Sequence, residues 1–369
     1  MRIHKNKLYS QHRSFDLPLL LTVVILVTFG LVMVYDASVI QALRDYKDSY
    51  YYIRQQIVWV ILGALAAGLL SVFDYRKLKP LAMLALIVSF ILMLAVFIPG
   101  LGISGGGAHR WLKLGFITIQ PAEIIKLTGV IYMAALFEKG VKVIPFVVLV
   151  VAVGLITAVL QKDLGSSLVF VCTAALVYLG SGGKILHLLI FISTTVLGML
   201  ALIFTSDYRS KRILAFLDPF SDTQGFTYHI SQVLIALGSG GLFGLGLGQS
   251  RQKFEYIPEV STDSIFGIVG EELGFVGAVV VLILFGILIT RGLKISVNAP
   301  DSFGKILALG LTSWLGVQAI INLSSMVALT PLTGVPLPFI SYGGSALVAN
   351  LMAVGILLSI SRHSSSSSA

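Results

Sequence analysis

Ten stretches of this chain are apolar enough, and long enough, to cross a hydrocarbon core of about 30 Å as α-helices. They lie near residues 17–35, 56–73, 79–98, 117–137, 143–161, 165–182, 185–205, 264–290, 304–329 and 345–361. A backbone in hydrocarbon finds no water to bond, so spans of this kind must close their own hydrogen bonds as helices. Composition agrees: 56% hydrophobic, 12% charged and a mean hydropathy of +0.94 over 369 residues leave no stretch for a separate soluble domain. The expected fold class is an all-α polytopic membrane protein with about ten transmembrane helices. Its function must then lie among helices and loops.

Basic residues in short loops are retained on the cytoplasmic side of a membrane. One set of loops carries 14 of them: Arg2, Lys5, Lys7, Arg13, Arg76, Lys77, Lys79, Lys139, Lys142, Lys184, Arg291, Lys294, Lys305 and Arg362. The opposite short loops carry 6: Arg44, Lys47, Arg54, Arg110, Lys113 and Lys162. Both termini are therefore assigned to the cytoplasm, as tails 1–16 and 362–369 flanking a membrane domain 17–361. One large polar loop, about 206–263, then faces outward between the seventh and eighth spans. The net charge of +9 reads as topology, and nucleic acid is not expected as a partner.

The first apolar run follows a basic tail and lacks a small-residue cleavage site, so it reads as a retained span. Cys172 stands alone, which removes disulfides and thiolate metal sites within one chain. The six histidines form no HExxH-type cluster, so no zinc or haem site is expected, while an oxygen-ligated divalent cation stays open. Gly238–Gly248 has the composition of a phosphate loop but not the GxxxxGK[ST] spacing, and no nucleotide site is expected. A close-packed re-entrant or amphipathic segment fits it better. The serine run Ser364–Ser368 reads as a disordered tail.

Polar groups at membrane depth are costly and usually face a cavity or a partner. Gln120, Glu123 and Lys126 follow at i, i+3, i+6 on one helical face, after Pro121 in the first turn. They either neutralise one another inside the bundle or line a cavity. Asp263, Gly267, Glu271 and Gly274 share a face of the eighth span, with Glu272 on its flank; small residues beside carboxylates suit a packing seam or a wet cavity. Asp263 itself suits a helix cap or a proton acceptor at a cavity mouth, and the roles are compatible. Gln161, Lys162 and Asp163 form a short polar turn. Arg110 and Trp111 close a glycine-rich outward loop, where Trp111 also suits an interfacial anchor. Tyr208, Arg209, Lys211 and Arg212 form a basic cluster suited to lipid headgroups or a pyrophosphate.

These motifs, taken in order, carry a resemblance. Gln120-Pro-Ala-Glu-Ile-Ile-Lys126, Gln161-Lys-Asp163-Leu-Gly165, Lys211-Arg-Ile-Leu-Ala-Phe-Leu-Asp218-Pro, the glycine segment running on to Lys253, Pro258-Glu259 with Thr262-Asp263, Gly270-Glu-Glu-Leu-Gly274 and Gly334 through Ser341-Tyr342 to Gly344 resemble the SEDS family of bacterial cell-wall proteins. The chain is more similar to the family's division branch than to its elongation branch. It departs from the family at Ser261 and Ser264, where a His and an aromatic are frequent, and at His229, where Gln is frequent.

The resemblance implies a peptidoglycan glycosyltransferase that polymerises lipid II at the outer face of the cytoplasmic membrane, with Asp263 matching the family's essential carboxylate. Displacing an α-linked lipid pyrophosphate to give a β-1,4 bond inverts the anomeric carbon and needs one base. Asp263 is expected as that base, alone or with Mg or Mn. Arg110, Trp111, Lys126, Lys253 and Glu259 are expected at the substrate; Gln120, Glu123, Gln161, Asp163, Glu271, Glu272, Ser341 and Tyr342 are expected as polar groups shaping the cavity. The implied partners are lipid II, a class B penicillin-binding protein, other division proteins and membrane lipids. A lipid II flippase or a scaffold for the transpeptidase are the alternative readings.

Overall fold

The computed structural model describes residues 15–105, 108–115, 117–204, 207–222, 225–253, 257 and 260–364. Glu259, most of the basic N-terminal tail and the end of the serine run lie outside them. Helices α1 (Leu17–Tyr46), α2 (Tyr51–Val72) and α3 (Leu78–Ala95) are followed by three short strands, β1 (Gly102–Gly105), β2 (Ala108–Leu114) and β3 (Ile117–Ile119). Then come α4 (Pro121–Phe137), α5 (Val143–Gly154) and α6 (Leu164–Gly180), with a single π-helical segment, Leu155–Leu160, extending α5. The rest is α7 (Ile185–Phe204), α8 (Asp207–Leu217), α9 (Tyr228–Ser239), α10 (Ile265–Asn298), α11 (Ser302–Met326) and α12 (Gly344–Ser364). Among the described residues seven helices are long and apolar enough to cross a membrane; α6, the Ile185–Gly198 part of α7, and α4 with its two charges occupy the other three apolar runs.

Several sequence expectations shift. The flexible loop around Arg110 is an antiparallel sheet of order β1-β2-β3, with Ile103 opposite Trp111 and Leu112 opposite Ile119. The apolar run expected from 117 therefore starts as a strand and turns helical only at Pro121, whose fixed φ suits a first helical turn. The polar 206–263 stretch holds two helices, α8 and α9, where a loop was expected. α12 continues to Ser364, past the expected boundary at 361.

One end of the bundle is tied by ion pairs. Arg291 at the end of α10 grips Asp16 through Nε (3.1 Å) and Nη2 (2.6 Å), while Asp16 caps α1 through Leu19 N and its own amide donates to Ser361 Oγ of α12. Asp301 caps α11 through Gly304 N, 2.8 Å, and also accepts from Tyr75 and Arg76 between α2 and α3. Lys79 meets Glu138 beyond α4. The basic loops assigned to one side of the membrane thus gather at one end of the molecule.

At the other end α10 is broken. Gly274 takes φ 65°, ψ −163°, which no helix contains. The glycine segment after α9 docks into the break: Leu245 and Gly246 amides donate to the Glu271 and Glu272 carbonyls, 3.0 Å each, and Phe275 and Val276 amides donate to Gly241 (2.9 Å) and Leu242 (3.1 Å). A close-packed segment was the sequence expectation, and its reason is now visible. A Cβ on Gly240 would lie 1.9 Å from the Gly270 carbonyl oxygen. Gly240→Ala should therefore destabilise the protein by about 1–3 kcal/mol by overpacking. Gly238→Ala, at a helical position with nothing within 4 Å, should be neutral or stabilising by up to about 1 kcal/mol. Thermal unfolding in detergent checks the pair, and equal midpoints would mean the segment is not docked.

Candidate active site

Asp263 closes the turn before α10 and is 8% exposed. The N-cap is its neighbour Ser264, whose hydroxyl sits 2.6 Å from His229 Nε2 of α9. The cap position therefore belongs to Ser264 and not to Asp263. The Asp263 carbonyl accepts from Asn322 Nδ2, 2.8 Å, and Thr262 Oγ1 donates to its Oδ1 at 3.3 Å. Opposite the carboxylate runs the non-helical strap between α11 and α12; a Cβ on Gly334 would stand 3.7 Å from Asp263 Oδ2.

The strap is fixed by side chains rather than by a ladder. Asn322 donates to Val335 O as well, 2.8 Å, and Gln318 Nε2, one turn earlier on α11, donates to Pro336 O, 3.1 Å. Ser341 Oγ accepts from Leu337 N, 2.9 Å. Tyr342 donates its amide to Ser261 O, 2.8 Å, and its hydroxyl to Gln55, 2.7 Å; Gln56 donates to Ser341 O. Tyr342 thus holds the turn that carries Asp263, and Ser341 braces the strap opposite it.

On α4, Lys126 and Glu123 form a buried pair at 2.7 Å, each 1% exposed. Lys126 also donates to Gln318 Oε1, 2.7 Å, which accepts in addition from Trp314 Nε1, 3.0 Å. The pair is therefore wired to the strap through Gln318. Beside it, Asp163 caps α6 through Ser166 N and Oγ and accepts from Gln120 Nε2, 3.1 Å. Gln161 donates to Met93 O, 2.9 Å. Arg110 donates to Lys162 O, and half-buried Trp111 lies next to it on β2. A Cβ on Gly165 would press on Thr333 O at 2.5 Å, so the Asp163 turn and Asp263 flank the same few strap residues.

Lys253 and the two glutamates of α10 form another cluster. Lys253, 6% exposed, pairs with Asp36 of α1 (2.8 Å) and with Glu272 (3.2 Å). Burial pulls its ammonium pKa down, but the Asp36 and Glu272 carboxylates outweigh that and raise it overall. Glu272 accepts from Gly248 and Ser250 amides, 3.0 Å each; Glu271 accepts from Arg251 N at 3.0 Å and from the Ser250 hydroxyl. Both glutamates cradle the backbone that leads to Lys253 and so lie in a packing seam. Asp36, Gln318, Asn322 and Gln56 were not singled out from sequence. The i, i+4 spacing of Gln318 and Asn322 within an apolar helix was the available signal.

Removing one partner of a buried pair strands the other charge. Lys126→Met should cost about 3–5 kcal/mol, and Glu123→Gln/Lys126→Met should recover most of it, measured by unfolding in detergent. A single variant as stable as wild type would mean the pair is not closed. His229 is held neutral: burial, then the nearby Arg212, lowers its pKa to about 4. Unfolding restores a value near 6.5, so the unfolded chain binds more protons between those limits and stability falls as pH falls. From pH 7 to pH 5 the loss should be roughly 2 kcal/mol, and His229→Gln should flatten that part of the unfolding profile.

The comparisons with known proteins fit this architecture. The cell cycle protein family, which groups FtsW, RodA and SpoVE, matches residues 17–366. Stage V sporulation protein E of Bacillus subtilis (strain 168) is 39% identical over 358 residues, covering 95% of this chain and 98% of the relative. A probable peptidoglycan glycosyltransferase FtsW of Geobacter sp. (strain M18) is 37% identical, covering 94% and 97%. Among solved structures, a chain of a peptidoglycan synthase complex that coordinates polymerization and crosslinking superposes with a TM-score of 0.77 at 27% identity, covering 96% of this chain and 99% of that one. The rod shape determining protein RodA of Thermus thermophilus gives 0.69 at 28%, covering 95% and 98%. With its membrane-spanning helices, its broken α10 and its Asp263 turn, the chain belongs to the FtsW, RodA and SpoVE family of multi-pass cell cycle proteins.

Proposed function

We propose that this chain is a peptidoglycan glycosyltransferase, polymerising lipid II into β-1,4 glycan at the outer face of the bacterial cytoplasmic membrane during cell division. The observation that carries the reading is Asp263. Its carboxylate stands at the end of the bundle away from the basic loops, on a turn held by Asn322 and Tyr342 and open to the strap at Gly334. Relatives named as probable peptidoglycan glycosyltransferases support the activity, and the likeness to a chain of a synthase complex supports a class B penicillin-binding protein as partner.

In this reading the acceptor sugar hydroxyl gives its proton to Asp263 as its oxygen bonds the anomeric carbon of the donor. The bond from that carbon to the pyrophosphate breaks, and its electrons leave with the lipid pyrophosphate. Arg110 is an outward cation anchored on the Asp163 turn that flanks the strap, through Lys162 O. Lys126 and Lys253 are already closed on carboxylates, so as they stand they hold the walls of the site. Among the described residues no three His, Cys, Asp or Glu side chains could cage a metal ion. A single carboxylate with substrate phosphates is a donor set that Mg or Mn accepts, and Asp263 would be the protein ligand. Such an ion would neutralise charge on the leaving pyrophosphate.

Polymerisation is preferred to transport because the buried charges of α4, Glu123 and Lys126, are bonded to each other and Lys126 also to Gln318. The test is lipid II polymerisation by the purified chain, with and without its transpeptidase partner, under a divalent-cation titration. Asp263→Asn and Asp263→Ala should lower the rate about 10²–10⁴-fold, the usual weight of a general base. Undiminished product from both would reduce Asp263 to a structural residue.

A further inference from the structure

Five of the chain's 13 tyrosines fall between residues 35 and 52, where α1 ends and α2 begins, and they meet as one cluster. Tyr35 stacks on Tyr50 with ring centroids 5.6 Å apart and planes 12° from parallel; Tyr46 stacks on Tyr51 at 3.6 Å and 9°. Tyr52 meets Tyr46 and Tyr51 edge-on, at 5.9 and 5.4 Å, and on its other side meets Tyr342 of the strap, at 5.2 Å. Tyr342 in turn donates its amide to Ser261 O, two residues before Asp263. A line of contacts therefore runs from the Asp263 turn to the surface, where Tyr46 is 48% and Tyr50 56% exposed. Tyrosines near a membrane often serve as anchors at headgroup level. The reach of α1 argues for a further role. Its 30 residues are about 45 Å long, and tilted by as much as about 40° they still outreach a hydrocarbon core of about 30 Å. Asp36 is already bonded to Lys253 at the Asp263 end of the molecule, and Tyr46 stands ten residues, about 15 Å, further along the helix. The rim of the cluster is polar: Arg54 pairs with Asp48, Arg44 with Asp45 at 2.8 Å, and Gln55 accepts from the Tyr342 hydroxyl.

Flat aromatic faces with a polar rim, clear of the lipid tails and in line with the Asp263 turn, match one ligand chemistry. We propose that this cluster binds the β-1,4-linked amino-sugar strand as it leaves the site, with sugar rings stacked on Tyr46 and Tyr50. This rests on the polymerase reading and deepens it. In a β-1,4-linked strand the ring substituents are equatorial, so C–H bonds cover both faces of each sugar. The sugar oxygens polarise those bonds, and the face of an aromatic ring carries the complementary negative charge. Phenol hydroxyls and the charged rim then serve the hydroxyl and acetamido groups along the edges of the strand. A diphosphate finds no such match, because Arg44 and Arg54 are paired with carboxylates. A strand gripped here stays beside Asp263 between couplings, so loss of the grip shortens the product.

The experiment uses the full chain in phosphatidylcholine nanodiscs, with chitohexaose, a soluble β-1,4 chain of N-acetylglucosamine, as the probe and the single sugar as its control. Wild type should bind the hexamer at least about tenfold more tightly than the monomer, because one strand can lie on both exposed rings. Tyr46→Ala and Tyr50→Ala should each weaken binding about three- to tenfold, the weight of one aromatic stack, and shift polymerised lipid II toward shorter strands. Tyr46→Phe and Tyr50→Phe should keep most of both, whereas Tyr46→Leu and Tyr50→Leu, which still anchor in lipid, should behave like the alanine variants. Both tyrosines are exposed, so their truncation leaves the core intact, and unfolding midpoints in detergent check this. Phe243→Ala, at an exposed aromatic outside the cluster, should change neither readout. Asp263→Asn should abolish polymerisation and keep hexamer binding. If Tyr46→Ala/Tyr50→Ala binds the hexamer and makes strands as long as wild type does, the subsite is wrong while the polymerase reading stands. If wild type binds the hexamer through these rings yet makes no glycan with its partner present, the polymerase reading fails and the glycan site remains. Leucine variants that match wild type where the alanine variants do not would overturn the assignment in favour of a membrane anchor.

Discussion

A backbone that leaves the helix at membrane depth must find hydrogen-bond partners in protein, because lipid offers none. The strap between α11 and α12 is buried non-helical backbone with the same need, and two amides on one face of α11 supply much of it: Gln318 to Pro336, Asn322 to Val335. The same two side chains reach outward from the strap. Gln318 ends the chain of contacts that starts at Glu123 and Lys126, and Asn322 holds the carbonyl of Asp263. The position of the carboxylate is therefore set by the requirement to satisfy an irregular backbone. Replacing either amide with a leucine of similar size would leave buried carbonyls without donors, each costing about 1–3 kcal/mol, and would unpin the turn as well.

The buried charges obey the same economy of partners. Lys126 has Glu123 and an amide oxygen; Lys253 has Asp36 and Glu272; Glu271 and Glu272 have backbone amides from the docked glycine segment. None of these groups is directed at an empty membrane. An ionised side chain in low dielectric is tolerated only when paired and hydrogen-bonded, and pairing tends to fix geometry more than it adds stability. Here it ties α4 to α11 and, through Lys253, α1 to α10, and the α4–α11 tie reaches the strap opposite Asp263 through Gln318.

Hydropathy made the membrane helices legible, because a 20-residue apolar run has few other uses. The carboxylates and lysines of α4 and α10 were legible for the same reason, as costly exceptions in apolar sequence. The glycine segment could be recognised as close-packed, but its dock could not: a break at Gly274 is paired with residues some thirty positions earlier, and no local pattern encodes that. The pairing of Asp36 with Lys253, 217 residues apart, was likewise out of reach. The small sheet was missed because strands of three to seven residues broken by glycines carry too little periodicity. The polar stretch 206–263 read as loop because α8 and α9 are short and amphipathic, and short helices owe their stability to packing rather than to propensity.

The two ends of the molecule are built differently, and the difference bears on mechanism. At the basic end the helix termini are capped by Asp16 and Asp301 and clamped by Arg291 and Arg76. At the Asp263 end the helices are interrupted instead. α5 passes into a π-helical segment, where Gln161 N reaches Ile156 O, just before the Asp163 turn; α10 breaks at Gly274; the strap abandons helix altogether. Such interruptions recur at functional sites, because a regular helix can present side chains only from its own cylinder. The strap carries its polar groups to the Asp263 turn, while the break at Gly274 receives the docked glycine segment. Under the proposed polymerase function, a lipid-linked substrate would bring a charged diphosphate and its sugars to Asp263 without leaving the membrane surface. A bundle that is rigid at one end and irregular at the other meets that demand, since the ion-paired end holds the helices in register while the interrupted end supplies the polar surface.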